Sequence, residues 1–191
     1  YVKNNVIGGE LESSLLTQIT RSNGYPLNGR PYEGLYAFRF AGLNEDGRPT
    51  FWKGDQRVTG IIASEKDRSL IEYMGTRQPL GTGSLSNSLQ YKGFEFRIFI
   101  TYAYGHKVFM SPIAARSYDD SGSKSADLNY RWQTIGDENY TNVPGLLSTI
   151  QRTYLGTVSN IDEVAYNRSN FRVADASVIR LNEVMVSYEL G

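Results

Sequence analysis

The sequence predicts an all-β chain of antiparallel strands, and three observations carry that prediction. The first is composition. Aromatics make up 13% of the 191 residues, 14 of them tyrosine, and 19 residues are glycine. Together with many Ser, Thr and Asn, this composition favours strands, turns and long polar loops. The second is a pair of alternating stretches around a tight-turn dipeptide at 82–104. The third is another alternating run at 177–189.

In the first arm of the 82–104 pair, Leu85, Leu89 and Tyr91 fall on one face, with Asn87 as an exception. Ser84, Ser86, Ser88 and Gln90 fall on the other. Lys92-Gly93 supplies the turn. In the second arm Phe94, Phe96, Ile98, Ile100, Tyr102 and Tyr104 share a face, opposite Glu95, Arg97, Thr101 and Ala103, with Phe99 out of place. This spacing predicts a β-hairpin with arms of ~10 residues, enough to cross a hydrocarbon layer when tilted. One face is apolar and ends in aromatics, as an interfacial girdle does; the other suits a wet lumen. A soluble sandwich with its apolar face inward has the same period of two, so the hairpin alone leaves both architectures open.

In the third run Val184, Val186 and Tyr188 alternate with Met185 and Ser187. The stretch Ile179-Arg180-Leu181-Asn182 is out of phase with them. A β-bulge near Leu181 or Asn182 would restore the facing.

The remainder is less regular. Residues 22–34 are dense in turn formers. Leu35 to Ala41 reads as a short strand, Asn44 to Gly47 as a turn, and Pro49 to Trp52 as the returning strand, giving a small hairpin at 35–52. Residues 105–175 are polar. Within them Pro144 opens a short helix pattern with Leu146, Leu147, Ile150 and Tyr154 at helical spacing. A connection of ~70 residues far exceeds the usual few. In outer-membrane barrels the long loops are extracellular and the short turns periplasmic. On that geometry Lys92-Gly93 is a periplasmic turn and 105–175 an extracellular loop. Residues 1–81 then lie mainly above the membrane.

Several function classes lose support. Charge is balanced, 20 basic against 20 acidic residues, which gives no nucleic-acid groove or polybasic patch. With no cysteine there is no disulfide framework or thiolate chemistry. The single histidine, His106, lacks an evident oriented partner for catalysis and reads as a solvated loop residue. No apolar run approaches the ~20 residues of a membrane helix. The start at Tyr1-Val2-Lys3, without Met or signal peptide, and the stop on a strand-like run lead us to expect an interior piece of a longer protein.

Four stretches resemble the C-terminal part of SusC/RagA-type TonB-dependent transporters. They are Gly24-Tyr25-Pro26 with Tyr36 to Leu43 and Asp46 to Pro49; Tyr73 to Pro79 with Gly83 to Asn87; Tyr91 to Phe94 with Thr101 to Lys107; and Asp175 to Leu181 with Val184 to Tyr188. They stand in the family's order and span nearly the whole chain. The resemblance implies a large transmembrane β-barrel in the outer membrane, in contact with outer-membrane lipid. It implies a plug domain and a TonB-contacting segment, neither of them in this chain. It implies a SusD-like surface lipoprotein as partner and glycans or peptides as cargo. No enzyme activity, cofactor or nucleic-acid partner is expected. Residues 110–172 carry no family pattern.

On this reading the chain is one partial barrel domain: 1–81 mainly extracellular, 82–104 a transmembrane hairpin, 105–175 an extracellular loop and 176–190 a transmembrane strand. The alternative is a soluble extracellular β-sandwich that holds carbohydrate on Trp52 and Trp132. The candidate ligand residues are Trp52, Tyr130 and Trp132, with Tyr32 beside them, because a flat apolar face with a polar edge suits sugar rings and peptide side chains. Packing of the loop on itself competes with that role. Asp119, Asp120 and Asp127 offer loop oxygens, but not in a calcium-loop spacing, and no metal site is expected. The adjacent pairs Asp137-Glu138 and Asp162-Glu163 read as surface charge, because two catalytic carboxylates must face each other across a bond. Asp175 and Arg180 read as structural, in a turn contact or a lumen-facing ion pair.

Overall fold

The computed structural model describes residues 8, 15–61, 64–113, 125–146 and 158–189, with side chains in the last segment from 162 onward. These residues form ten strands in four antiparallel sheets, with two α-helices. All-β is therefore the observed class, and among the described residues no sheet closes into a barrel.

The largest sheet is three-stranded. It contains β6 (Gly81–Tyr91), β7 (Phe94–Tyr104) and β10 (Val178–Tyr188), in the order β10-β7-β6. The hairpin expected at 82–104 forms as β6 and β7, with Tyr91 opposite Phe94. Its two turn residues, Lys92 and Gly93, have φ of 46° and 81°. Positive φ at both centres gives the turn the twist that a two-residue hairpin needs. The expected bulge is also present: Leu181 pairs with Ile100 and Glu183 with Phe99, so Asn182 is the extra residue. The Asn182 side-chain Nδ2 donates to Thr101 Oγ1 at 2.8 Å, which anchors the bulge.

The other described residues attach at one end of this sheet, where Gly81, Tyr104 and Val178 lie. They form a second body. There β1 (Gly34–Phe38) pairs with β5 (Ile71–Thr76). A small sheet joins β2 (Phe40–Leu43), β3 (Pro49–Lys53) and β4 (Gln56–Val58). A two-stranded ladder joins β8 (Lys107–Phe109) and β9 (Val173–Asp175). Helix α1 spans Leu16–Ile19 and α2 spans Val158–Asn167.

One expectation changes here. The run from Leu35 to Ala41 is not one strand. It breaks at Arg39, whose amide donates to Leu70 O at 2.9 Å and whose carbonyl accepts from Trp52 N at 2.8 Å. The first half therefore pairs with β5, and only β2 and β3 form the expected hairpin. The described parts of 105–175 carry short strands and helices and contribute to the core. The core contains Leu16, Ile19, Phe38, Phe51 and Leu70 from the first stretch, and Ile113, Leu128, Ala165 and Tyr166 from the second. The Phe38 amide donates to Arg168 O at 2.9 Å, and the Phe40 amide to Asn170 Oδ1 at 3.1 Å. Burial of these side chains, on the order of 1.5–3 kcal/mol for each Leu, Ile and Phe and less for Ala165, joins the two stretches into one module. The helix expected from Pro144 falls largely on 147–154, outside the described residues.

Candidate functional site

The three-stranded sheet has two unlike faces. Cross-strand partners share a face, so the rows follow from the register. One face carries the rows Tyr188-Phe94-Tyr91, Val186-Phe96-Leu89, Val184-Ile98-Asn87, Leu181-Ile100-Leu85 and Ile179-Tyr102-Gly83. The other carries Ser187-Glu95-Gln90, Met185-Arg97-Ser88, Glu183-Phe99-Ser86, Arg180-Thr101-Ser84 and Val178-Ala103-Thr82. The bulge at Asn182 keeps Ile179 and Leu181 with Val184 and Val186. Without it, one half of β10 would present its apolar side chains to the polar face.

No residue of these strands is buried. Ile179 is 80% exposed and Val186 66%. The apolar face is aromatic at both ends. Phe94 and Tyr188 meet at 4.6 Å by the turn, with Tyr91 beside them, and Tyr102 and Tyr104 stack at 6.5 Å at the other end. The tyrosine rings lean across glycines of β6. A Cβ on Gly83 would come within 2.4 Å of the Tyr102 ring, and one on Gly81 within 2.6 Å of Tyr104. Gly81 and Gly83 thus give the rings room, an exchange of side chain for ring cover known as aromatic rescue. On the polar face Glu95 accepts from Arg97 at 3.0 Å and from Ser88 at 3.2 Å. Arg180 lies opposite Thr101 on this face.

Where the sheet meets the module, β8 and β9 continue β7 and β10 after a short break. Ala176 N donates to His106 O at 3.0 Å, and Gly105 N to Ser177 Oγ at 3.1 Å. Asp175 accepts from Lys107 Nζ at 2.9 Å and from Ser177 N at 2.8 Å, which is the turn contact expected of it. The Lys107 ammonium, followed by Ser177, holds the Asp175 carboxyl well below the usual range. His106, expected to be a solvated loop residue, is only half-exposed in this joint, with its Nδ1 away from water.

The aromatic candidates do not share one site. Trp52 lies on β3 opposite Arg57 and is partly exposed. Trp132 is half-buried against Gly47 and Gly145, where added Cβ atoms would meet its ring at 2.4 Å and 2.9 Å. Its indole N–H donates to Glu138 at 3.0 Å. Trp132 thus packs the loop on itself. Tyr130 and Tyr32 are open to solvent. Sequence reasoning missed two further displayed side chains in the same loop, Ile135 and Tyr140, which are 78% and 92% exposed. Nothing in their local pattern separates display from core.

The carboxylates have structural partners. Asp127 pairs with the buried Arg172 at 2.9 Å, while Asp119 and Asp120 lie outside the described residues. Among the described residues no cluster of His, Cys, Asp and Glu could hold a metal. Asp137 accepts from Gln133 N and Thr134 N. Asp162 corrects the surface-charge expectation: it is buried, ion-paired with Arg48 and accepts from Ile61 N at 3.1 Å. Burial pushes its carboxyl above the usual range, against the pull of Arg48.

No protein-family model matches the chain, and no curated protein matches it. Among solved structures its fold is similar to one described as "Structure of the RagAB peptide transporter", with a TM-score of 0.55 and 17% identity over 94% of this chain. The match spans 17% of that chain's length. At this identity the likeness shows the fold alone.

Proposed function

We propose that this chain is part of a TonB-dependent outer-membrane transporter of the SusC/RagA type, which imports glycans or peptides with a SusD-like surface lipoprotein. The observation that carries this reading is the β10-β7-β6 sheet. Its strands are each 11 residues long, which at about 3.3 Å per residue and a tilt of about 40° spans about 28 Å, the height of an outer-membrane barrel's apolar band. The uncovered apolar face then meets lipid, with the aromatics at both ends in the interfaces. The polar face lines a wet lumen. The free edges of β6 and β10 pair with neighbouring strands of a larger barrel, since an exposed edge invites pairing. The module hangs from one end, as extracellular loops do.

A soluble sandwich is supported less well. It needs a second sheet over Phe96, Ile98 and Ile100, and no described residue covers that face. The mechanism proposed is binding and gated passage, without bond chemistry. The fold of the peptide transporter neighbour and the four ordered sequence resemblances support the same reading.

The test is Ile98→Arg. Near the midplane on a lipid face it is expected to cost ~2–4 kcal/mol of insertion, whereas Phe99→Arg on the lumen face is expected to cost little. Equal assembly of the two variants in lipid bilayers would count against the topology.

A further inference from the structure

Asparagine is followed by glycine at two places in the chain, Asn23-Gly24 and Asn28-Gly29. In such a pair the backbone nitrogen of the glycine can attack the asparagine side-chain carbonyl, because no Cβ hinders the approach. The fold treats the two pairs differently. Gly24 N donates to Arg21 O at 3.1 Å. The next amide, of the buried Tyr25, donates to Gly34 O at 2.8 Å. The Glu33 backbone lies against Gly24, 2.8 Å from where a Cβ would stand. The Gly24 nitrogen is thus engaged, and the chain around it is pinned.

Asn28-Gly29 sits in an open turn. Arg30 N donates to Leu27 O at 3.1 Å, which makes Asn28 and Gly29 the two central residues. The single bond of a β-turn runs between its outer residues. Among the described residues the Gly29 amide accordingly donates to no acceptor. Gly29 has φ of 75°, and a Cβ there would meet nothing within 4 Å. Asn28, Gly29 and Arg30 are all exposed. The flanks hold the turn in place: Leu27 packs against the core, and the Arg30 guanidinium lies 4.4 Å from the centre of the Tyr73 ring.

We propose that Asn28 is a site of spontaneous deamidation, left open by the fold while Asn23 is protected. The step needs only water. Base takes the proton from the Gly29 nitrogen, which bonds to Asn28 Cγ. The Cγ–Nδ2 bond then breaks and ammonia leaves with a proton, closing a succinimide ring. Water opens either carbonyl of the ring, giving aspartate or isoaspartate. Nothing is oxidised or reduced. The product adds one carboxylate to a chain of 20 basic and 20 acidic residues, two positions before Arg30. The isoaspartate form also adds a carbon to the backbone of the turn. Neither form requires a membrane or a cargo, so this site stands apart from the import reading.

The test follows the full chain in detergent micelles at mildly alkaline pH and, in parallel, unfolded in urea. Circular dichroism checks that the first sample is folded. Trypsin cleaves after Arg21, so one peptide beginning at Ser22 carries both asparagines. Fragmentation in the mass spectrometer assigns the modified one. In urea the two are expected to react at similar rates, since both precede glycine. In the folded chain Asn28 is expected to keep most of its unfolded rate. Asn23 is expected to slow roughly tenfold or more, because its glycine amide is released only when local hydrogen bonds open. Equal rates at the two sites in the folded chain, or faster reaction of Asn23, would overturn the proposal. So would a folded chain in which neither asparagine reacts over the time that modifies both in urea. Assembly in bilayers bears on neither rate, so failure here leaves the import reading standing.

Discussion

Arg48 in the β2–β3 turn and Asp162 in α2, far apart in the sequence, form an ion pair inside the module, with Asp162 3% exposed. This contact joins the first long stretch to the second. Arg48→Leu leaves a buried carboxylate without its cation and is expected to cost about 3–5 kcal/mol in denaturant melts of the module. Asp162→Asn, which still accepts from Ile61 N, is expected to cost less. A cost below about 1 kcal/mol for Arg48→Leu would show that the pair is not what ties the stretches together.

The pH dependence has two signs. Burial raises the Asp162 carboxyl, so its contribution to stability is full below its unfolded value and fades as pH rises through the folded one. Asp175 is held low by Lys107 and Ser177, so its contribution is present above the unfolded value and fades as pH falls through the folded one. On acidification the Ser177 amide, which donates to Asp175, is therefore expected to lose hydrogen-exchange protection. Asp175→Asn is expected to flatten that acid dependence. An unchanged profile in the variant would remove Asp175 from the joint between sheet and module.

Tyr102 lies across Gly83, so Gly83→Val is expected to be destabilising by about 1–3 kcal/mol through overpacking. In a Tyr102→Ala background the ring is gone, and the same change is expected to be nearly neutral. A double-mutant cycle read by bilayer refolding checks this. Additive effects, with no coupling, would mean that the ring does not occupy the glycine's space.

The bulge predicts which deletions the sheet tolerates. Removing Asn182 leaves Leu181 opposite Ile100 and Glu183 opposite Phe99, so both faces survive. Removing Met185 sends Val186 and Tyr188 to the polar face. The first variant is expected to assemble in bilayers and the second to fail. Failure of both would place the value of Asn182 in its bond to Thr101 rather than in register.

Much of the sheet was legible in the sequence because a strand's period is local. The Lys92-Gly93 turn, the two faces of β6 and β7 and the phase slip near Asn182 can all be read within a dozen residues. The module was not legible, because its contacts are distant in sequence. Phe38 meets Arg168 O, Phe40 meets Asn170, and Trp132 rests on the distant Gly47 as well as on Gly145 of its own segment. Asp162 resembled a surface charge because its cation, Arg48, comes from the far side of the sheet hairpin. Trp132, read either as a ligand ring or as packing of its loop, has the second role through contacts that include the distant Gly47.

On the proposed topology one face of β7 meets lipid and the other meets water. The chain has no cysteine, so single-cysteine variants from Phe96 to Thr101 can each carry one fluorophore. Quenching by brominated lipid and by aqueous iodide is then measured in assembled bilayers. Alternation is expected: lipid quenching at 96, 98 and 100, and iodide quenching at 97, 99 and 101. Iodide access at all six positions, or a profile without a period of two, would contradict it.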